Sequence, residues 1–359
     1  MSYHALPTMS FELIPFKSCD FDDPFFDSLK DDYPGFDSWF KRKSDEGRFT
    51  YVWKEEGLIH GFLYIKDEPE VESVGDLPEE PRMKIGTLKV DDSIGGQRIG
   101  EGAVGLALWK WAKSDIRQIY VTVFPKHKSL IKTLEGFGFK KVTMKGEEEV
   151  YLKDRTDLDT SEPKKYFPFV KKGISGRIIP IKPVYHDKMF IYSEIKNTNQ
   201  EVDLMPVSNG ISKIYLAYTG FKLDYRIHDL AFIYRISEDE SNKRYKSVIS
   251  SYCVITAIKT IKSNGLATIS KESFKNLVGN KTIYTDEELD DAYSQKNLHM
   301  IGLVYCGYFG SGNNVNYDTL QRIGIWKKDV HPYQIKLSSE EIEAIFKEGR
   351  INVQDVVID

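Results

Sequence analysis

Apolar and polar positions alternate from Phe11 to Phe16, the period of an opening strand. Asp22–Lys30 and Gly35–Lys43 read as two short helices, the second carrying Phe36, Trp39 and Phe40 on one side. Phe49–Trp53 and Leu58–Lys66 flank Glu56-Gly57, which predicts a hairpin with Gly57 supplying the turn. Asp67–Pro81 is acidic and carries prolines, an exposed excursion between strands. Lys84–Val90 is β-rich, Asp91–Gly96 is turn material, and Ile99 opens a Pro-free run with Val104, Leu106, Leu108 and Trp111. That run predicts a helix apolar over much of its girth, packed on a sheet. A β-branched strand, Ile116–Phe124, and a short helix, Lys126–Phe137, follow.

The pattern then changes. Residues 154–176 mix acids, Ser161, Pro163, Pro168, Gly173, Gly176 and four lysines, which predicts a linker or domain-joining loop. Beyond it Ile178–Ile181, Ile211–Thr219, Asp229–Arg235, Tyr245–Ile261 and His299–Phe309 read as strands. Short helices are expected at Pro183–Met189, Ser270–Leu277, Asp286–Tyr293 and Ser338–Lys347, with Thr285 as a cap and Ser339-x-x-Ile342 falling short of a capping box. Many short strands with few helices predict a small barrel. The expected organisation is therefore 1–155, a linker at 156–177, and 178–359.

Composition narrows this picture only slightly. A chain of 359 residues holds two domains of ordinary size, and 41% apolar residues suit a globular protein. A formal charge of −4 does not advertise nucleic acid as a partner. Cys19, Cys253 and Cys306 are odd in number, far apart and in no ligand spacing. They predict buried thiols in a reducing compartment and no metal site. Neither a signal segment nor a bilayer-length apolar run is seen, so a soluble, cytoplasmic protein with no membrane partner is expected.

The candidate chemistry sits in the turn before the long helix, Gln97-Arg98-Ile99-Gly100-Glu101-Gly102. A helix N-terminus presents unpaired N–H groups and partial positive charge, which suit a phosphate. Gly100 and Gly102 remove the Cβ atoms that would hold a pyrophosphate off the backbone. Gly105 completes a G-x-G-x-x-G, but the following strand ends in Phe-Pro-Lys-His rather than in the acid a dinucleotide fold wants. An ordinary strand-to-helix turn stays an alternative.

The order of hairpin, strand, glycine turn, helix, strand and short helix ending in Gly138-Phe139 resembles the GNAT N-acetyltransferase superfamily over about residues 10–153. Its (Q/R)-x-x-G-x-(G/A) acetyl-CoA loop is matched by Gln97, Gly100 and Gly102, and its G-F pair by Gly138-Phe139. The resemblance implies a mixed, mostly antiparallel sheet flanked by helices, the first two of which wall the acceptor groove. It implies acetyl-CoA as co-substrate, bound by residues Gln97, Arg98, Ile99, Gly100, Glu101 and Gly102, by the Leu88 and Val90 backbones, and by His127. The family's tyrosine four residues before the G-F pair is Leu134 here, which cannot donate a proton. No general base is assigned; Glu56, His60, Glu68 and Tyr120 lie near plausible groove strands.

The second half resembles the PUA-like superfamily and its ASCH branch. Ile181–Met189 is similar to the opening of that branch, and His228–Tyr234 to its internal strand, with His228 replacing a Gly. The branch signature is not preserved around Glu194-Ile-Lys196. The resemblance implies RNA or an RNA-associated protein as partner. Lys243, Arg244 and Lys246, clustered beside Tyr245 and Tyr252, are the nucleic-acid candidates. Two expectations result for this α+β chain: an acetyl-CoA-dependent N-acetyltransferase whose second domain recruits the acceptor, or a non-catalytic acetyl-CoA-binding regulator or RNA-binding protein with a GNAT sensor.

Overall fold

Ten of the fourteen residues of the helix Ile99–Ala112 are buried, as a helix apolar all round must be. It belongs to the first of two compact units, which fall within Leu6–Leu158 and Asp159–Asp359. The computed structural model describes residues 11–66, 74–91, 95–191, 193 and 206–358.

The first unit contains β1 (Glu12–Pro15), α1 (Asp27–Asp32), α2 (Phe36–Asp45), β2 (Phe49–Glu55), β3 (Leu58–Ile65) and β4 (Arg82–Val90). The helix Ile99–Ala112 is α3, followed by β5 (Gln118–Val123), α4 (Lys128–Gly136), β6 (Lys140–Lys145) and β7 (Glu148–Asp154). Its seven strands run in the order β1-β2-β3-β4-β5-β7-β6, antiparallel except for the β4–β5 pair. This is the mixed, mostly antiparallel sheet expected. Phe26, Phe36 and Phe40 of the α1–α2 region pack on Val52, Phe62 and Tyr64, which fixes the face those helices cover.

Paired neighbours share a sheet face, so the register carries that face across the sheet. Lys84 pairs with Tyr120, Tyr120 with Leu152 and Thr122 with Val150. Val74 and Leu77, from the segment between β3 and β4, pack on Tyr120, Val150 and Leu152. The later part of the acidic excursion is thus folded onto the sheet rather than wholly exposed.

The β4–β5 ladder joins only Arg82–Ile85 to Gln118–Val121. On the other side of β4 the register with β3 shifts between Tyr64↔Thr87 and Ile65↔Ile85, leaving Gly86 as the extra residue of a bulge. A Cβ on Gly86 would lie 2.9 Å from Tyr64 Cδ1, so the bulge needs glycine there. Past it the β4–β5 ladder does not continue among the described residues.

The second unit comprises β8 (Val170–Lys171), β9 (Gly176–Ile181), α5 (Pro183–Met189), α6 (Pro206–Asn209), β10 (Ser212–Ala217) and β11 (Leu230–Arg235). Then come α7 (Lys243–Lys246), β12 (Val248–Ser263), β13 (Leu266–Ala267), α8 (Lys271–Val278), α9 (Asp286–Ser294) and β14 (Leu298–Tyr308). The chain closes with β15 (Val315–Asn316), α10 (Tyr317–Arg322), β16 (Lys336–Leu337), α11 (Ser339–Glu348), α12 (Val353–Val356) and β17 (Val357–Ile358). The main sheet runs β10-β14-β12-β11-β9-β16, with β9 and β11 parallel. All of β14 is buried, and α8 and α9 cover β10 and β14 through Phe274, Val278 and Leu289.

Three local expectations change. Residues 163–170, within the expected linker or domain-joining loop, are packed rather than solvated: Tyr166, Phe167, Phe169 and Val170 are buried. The capping box of α11 starts one residue earlier than sought, with Ser338 and Glu341 bonding reciprocally. His228, standing where the ASCH pattern has Gly, takes φ 76°, and the Tyr166 hydroxyl lies 2.9 Å from its Nδ1. The position needs a left-handed backbone, and histidine accepts it.

Inside this unit His186, wholly buried, bridges Asp187 Oδ1 at 2.8 Å and Ser250 Oγ at 2.7 Å. The order is that of a hydrolytic triad, but Ser250 is fully buried too, so no substrate reaches it. The network is structural. Burial opposes ionisation of Asp187, yet hydrogen bonds from Arg235 and His186 hold its carboxyl down at about 2. Burial pushes the His186 imidazole below its ordinary 6.5. The unfolded chain therefore binds the proton first as pH falls, and the stability from neutral His186 is lost progressively below 6.5. Urea midpoints should fall between about pH 7.5 and 5.5, and His186→Gln should reduce that drop. His228, His299 and His331 share the sign and supply the remaining slope.

Candidate active site

The open half of β4 leads directly to the glycine turn. Arg98 caps α3 in a left-handed conformation, φ 59°, and Gly96 before it has φ +87°. The first intrahelical bond runs from the Gly102 amide to the Arg98 carbonyl at 3.2 Å, so the amides of Ile99, Gly100 and Glu101 precede the ladder. A Cβ on Gly100 would meet nothing nearer than Val90 Cγ2 at 4.0 Å. The space is there, so any need for glycine at 100 comes from a ligand and not from packing. Arg98 turns its guanidinium onto the Glu101 carboxylate, and both side chains are largely buried. That pairing neutralises the acid in the first turn of α3, where an incoming phosphate would otherwise be repelled.

Gln97, Leu88 and Val90 are half-buried along this path. His127 caps α4 without a side-chain capping bond, its Nε2 3.9 Å from Asp32 Oδ2. Leu134 has no exposed surface. Position 134 is core, and a leucine there donates no proton.

The four base candidates separate. Glu56 sits in the β2–β3 turn at φ 50°, and Glu68 lies outside the described residues, as do Glu194 and Lys196. His60 Nδ1 lies 3.3 Å from Asp91 Oδ2 beside the entry to the turn. Tyr120 is buried on the α1–α2 face with the Lys84 ammonium 5.6 Å over its ring.

A pair with no sequence signal occupies the same face. The Tyr33 hydroxyl, between α1 and α2, donates to Glu148 Oε1 at 3.2 Å, and its ring packs on Phe124 at 5.3 Å. Asp32 meets the Lys126 ammonium at 2.5 Å. The α1–α2 loop is thereby strapped to the end of β5 and to the start of β7. Burial, then the Glu148 charge, push the Tyr33 hydroxyl well above its ordinary value. A spacing of 115 residues hides this pair from any periodicity.

In the second unit the three nucleic-acid candidates lie on α7, and each holds an acid: Lys243 with Glu240 at 2.9 Å, Arg244 with Asp318 at 2.5 Å, Lys246 with Asp239 at 2.6 Å. Tyr245 is exposed, but Tyr252 is buried and presents no stacking face. Lys243 and Arg244 border a cleft of about 1090 Å³ whose walls include Tyr185, Tyr218, Tyr234, Tyr284, Trp326 and Tyr333. Trp326 stacks obliquely on Tyr234 with centroids 4.8 Å apart. Burial pushes the Tyr234 and Tyr333 hydroxyls up to about 12, so they stay protonated donors.

Among the described residues no cluster of three or more metal-ligating side chains occurs, and no helix is long and apolar enough to cross a membrane.

The sequence matches no protein-family model and no curated protein. Solved structures are similar to parts of the chain. PH1933 from Pyrococcus horikoshii is 20% identical over 40% of this chain and 98% of its own, with a TM-score of 0.30. Arabidopsis thaliana Naa50, solved with a bisubstrate analogue of CoA, is 21% identical over 40% and 99%, with a TM-score of 0.29. ZmASCH from Zymomonas mobilis is 12% identical over 49% and 96%, with a TM-score of 0.30.

Proposed function

We propose that the first unit binds acetyl-CoA and transfers its acetyl group to an amine. The observation that carries this reading is the gap that opens at Gly86 between β4 and β5 and runs to the glycine-opened N-terminus of α3. An unpaired strand edge offers amides and carbonyls to the pantetheine arm, as any added strand would be bonded. The amides of Ile99, Gly100 and Glu101 receive the pyrophosphate, and Arg98 keeps Glu101 from opposing it.

The acceptor comes from the α1–α2 face, so that its nitrogen meets the thioester carbonyl across the sheet. Holding amine and thioester in attack geometry supplies much of the acceleration. With leucine buried at 134, that position offers the departing thiolate no hydroxyl, and solvent protonates it. The same feature favours a second reading, a non-catalytic acetyl-CoA sensor. Free-thiol release with an amine acceptor separates the two.

Gly100→Val keeps the helix, since the site has room, but puts two methyls in the phosphate position. Calorimetry should find acetyl-CoA weakened roughly tenfold or more, about 1.4 kcal/mol. Equal affinities would remove the pyrophosphate assignment.

The second unit, in this proposal, recruits the acceptor, and RNA is the partner to test first. The tyrosine-lined cleft with Lys182, Lys243 and Arg244 at its border supports this, since bases stack on aromatic faces and phosphates pair with cations. Because Lys243, Arg244 and Lys246 each hold an acid, replacing all three with Gln should flatten the log–log salt slope by less than the roughly 2 units that three free cations would give on a single strand. Tyr218→Ala, at the exposed wall, should weaken single-stranded RNA by about 1–3 kcal/mol in filter binding. If no RNA class binds below about 100 μM at low salt, the recruiting role passes to a protein partner.

A further inference from the structure

Glu148 is the first residue of β7, and its neighbour Glu149 pairs with Val123. Alternation puts Glu148 on the face of Val150 and Leu152, where Val74 and Leu77 pack, the sheet face whose other end α1 and α2 cover and from which the acceptor is proposed to come. Its carboxylate is half-buried, and no lysine or arginine among the described residues lies within ion-pair distance of it. Lys145 stands opposite in register without forming an ion pair with it, while Lys126 is engaged by Asp32. The partner Glu148 has is neutral: the Tyr33 hydroxyl, on a loop held down by Phe124 and Lys126.

A neutral donor is the weaker partner for a carboxylate; a charge-assisted bond from an ammonium is roughly twice as strong. The β4–β5 ladder ends at Val121, and Phe124 lies three residues on, about 10 Å at the rise of a strand. Glu148 is therefore set back from the point where the strands part, too far to hold the reacting nitrogen itself.

We infer that Glu148 receives a second positive charge on the acceptor, a few bonds from the amine that is acetylated, and that Tyr33 occupies this carboxylate until the acceptor displaces it. The acceptor class is a diamine, or a chain bearing a basic side chain beside the target amine. This rests on the acetyltransferase reading above.

Two bisubstrate probes test it on the full chain: CoA bridged through an acetyl group to 1,4-diaminobutane, and to butylamine. They differ only in the terminal ammonium. Calorimetry should give the diamine probe at least a tenfold advantage. Glu148→Gln should abolish that advantage without changing the affinity for CoA, and Tyr33→Phe should enlarge it by removing the competing hydroxyl. If CoA binds but the wild type takes both probes equally, or Glu148→Gln keeps the preference, the assignment of Glu148 is overturned and the acetyl-CoA site stands. If neither CoA nor either probe binds, the acetyltransferase reading falls and this inference falls with it.

Discussion

One extra residue in one strand decides the character of the first unit. A bulge at Gly86 re-aims β4 after four paired positions with β5, and the two strands diverge. Tyr64 packs so close to Gly86 that no side chain fits, which keeps the bulge where it is. The open edge of Gly86–Val90 follows from that, and so does the route to α3. The rest of the unit holds this gap rigid: α3, buried on almost every side, and the phenylalanine cluster under α1 and α2.

Charge at the gap is arranged in pairs rather than as a field. Arg98 with Glu101 and Asp32 with Lys126 each leave little net charge. What stays available to a phosphate is backbone: amides at the start of a helix, approached over glycine. Under the proposed function, a chain with net charge −4 takes its phosphate on backbone rather than on a basic patch. The second unit solves a different problem. Its cleft is walled by tyrosines whose hydroxyls stay protonated, and its bordering cations are mostly held by acids.

Much of this was legible in the sequence because the signals are local. The strand–turn–helix from Lys84 to Ala112, the hairpin at Gly57 and the helix capped at Thr285 follow from periodicity, glycine and capping chemistry. What was hidden depends on pairing between distant strands. The bulge at Gly86 exists only in the register of β4 against β3, and a lone glycine in a strand does not announce it. Tyr33 meets Glu148 because the α1–α2 loop reaches along the sheet face to the start of β7. Burial misled in the other direction: Tyr252, read beside the nucleic-acid candidates, is core, and residues 163–170, read as part of a linker or domain-joining loop, bury Tyr166, Phe167 and Phe169. The three acids and three cations around α7 were visible as charges but not as pairs.

The central claim is that the gap opened at Gly86 and the turn before α3 form one binding surface for acetyl-CoA. Amide hydrogen exchange of the full chain, with and without saturating acetyl-CoA, reads it residue by residue. Protection concentrated in residues 86–90 and 97–101 is the predicted result, because the ligand bonds fall within these two segments. Protection confined to the tyrosine-walled cleft of the second unit, or no change in either segment at saturation, would contradict the account.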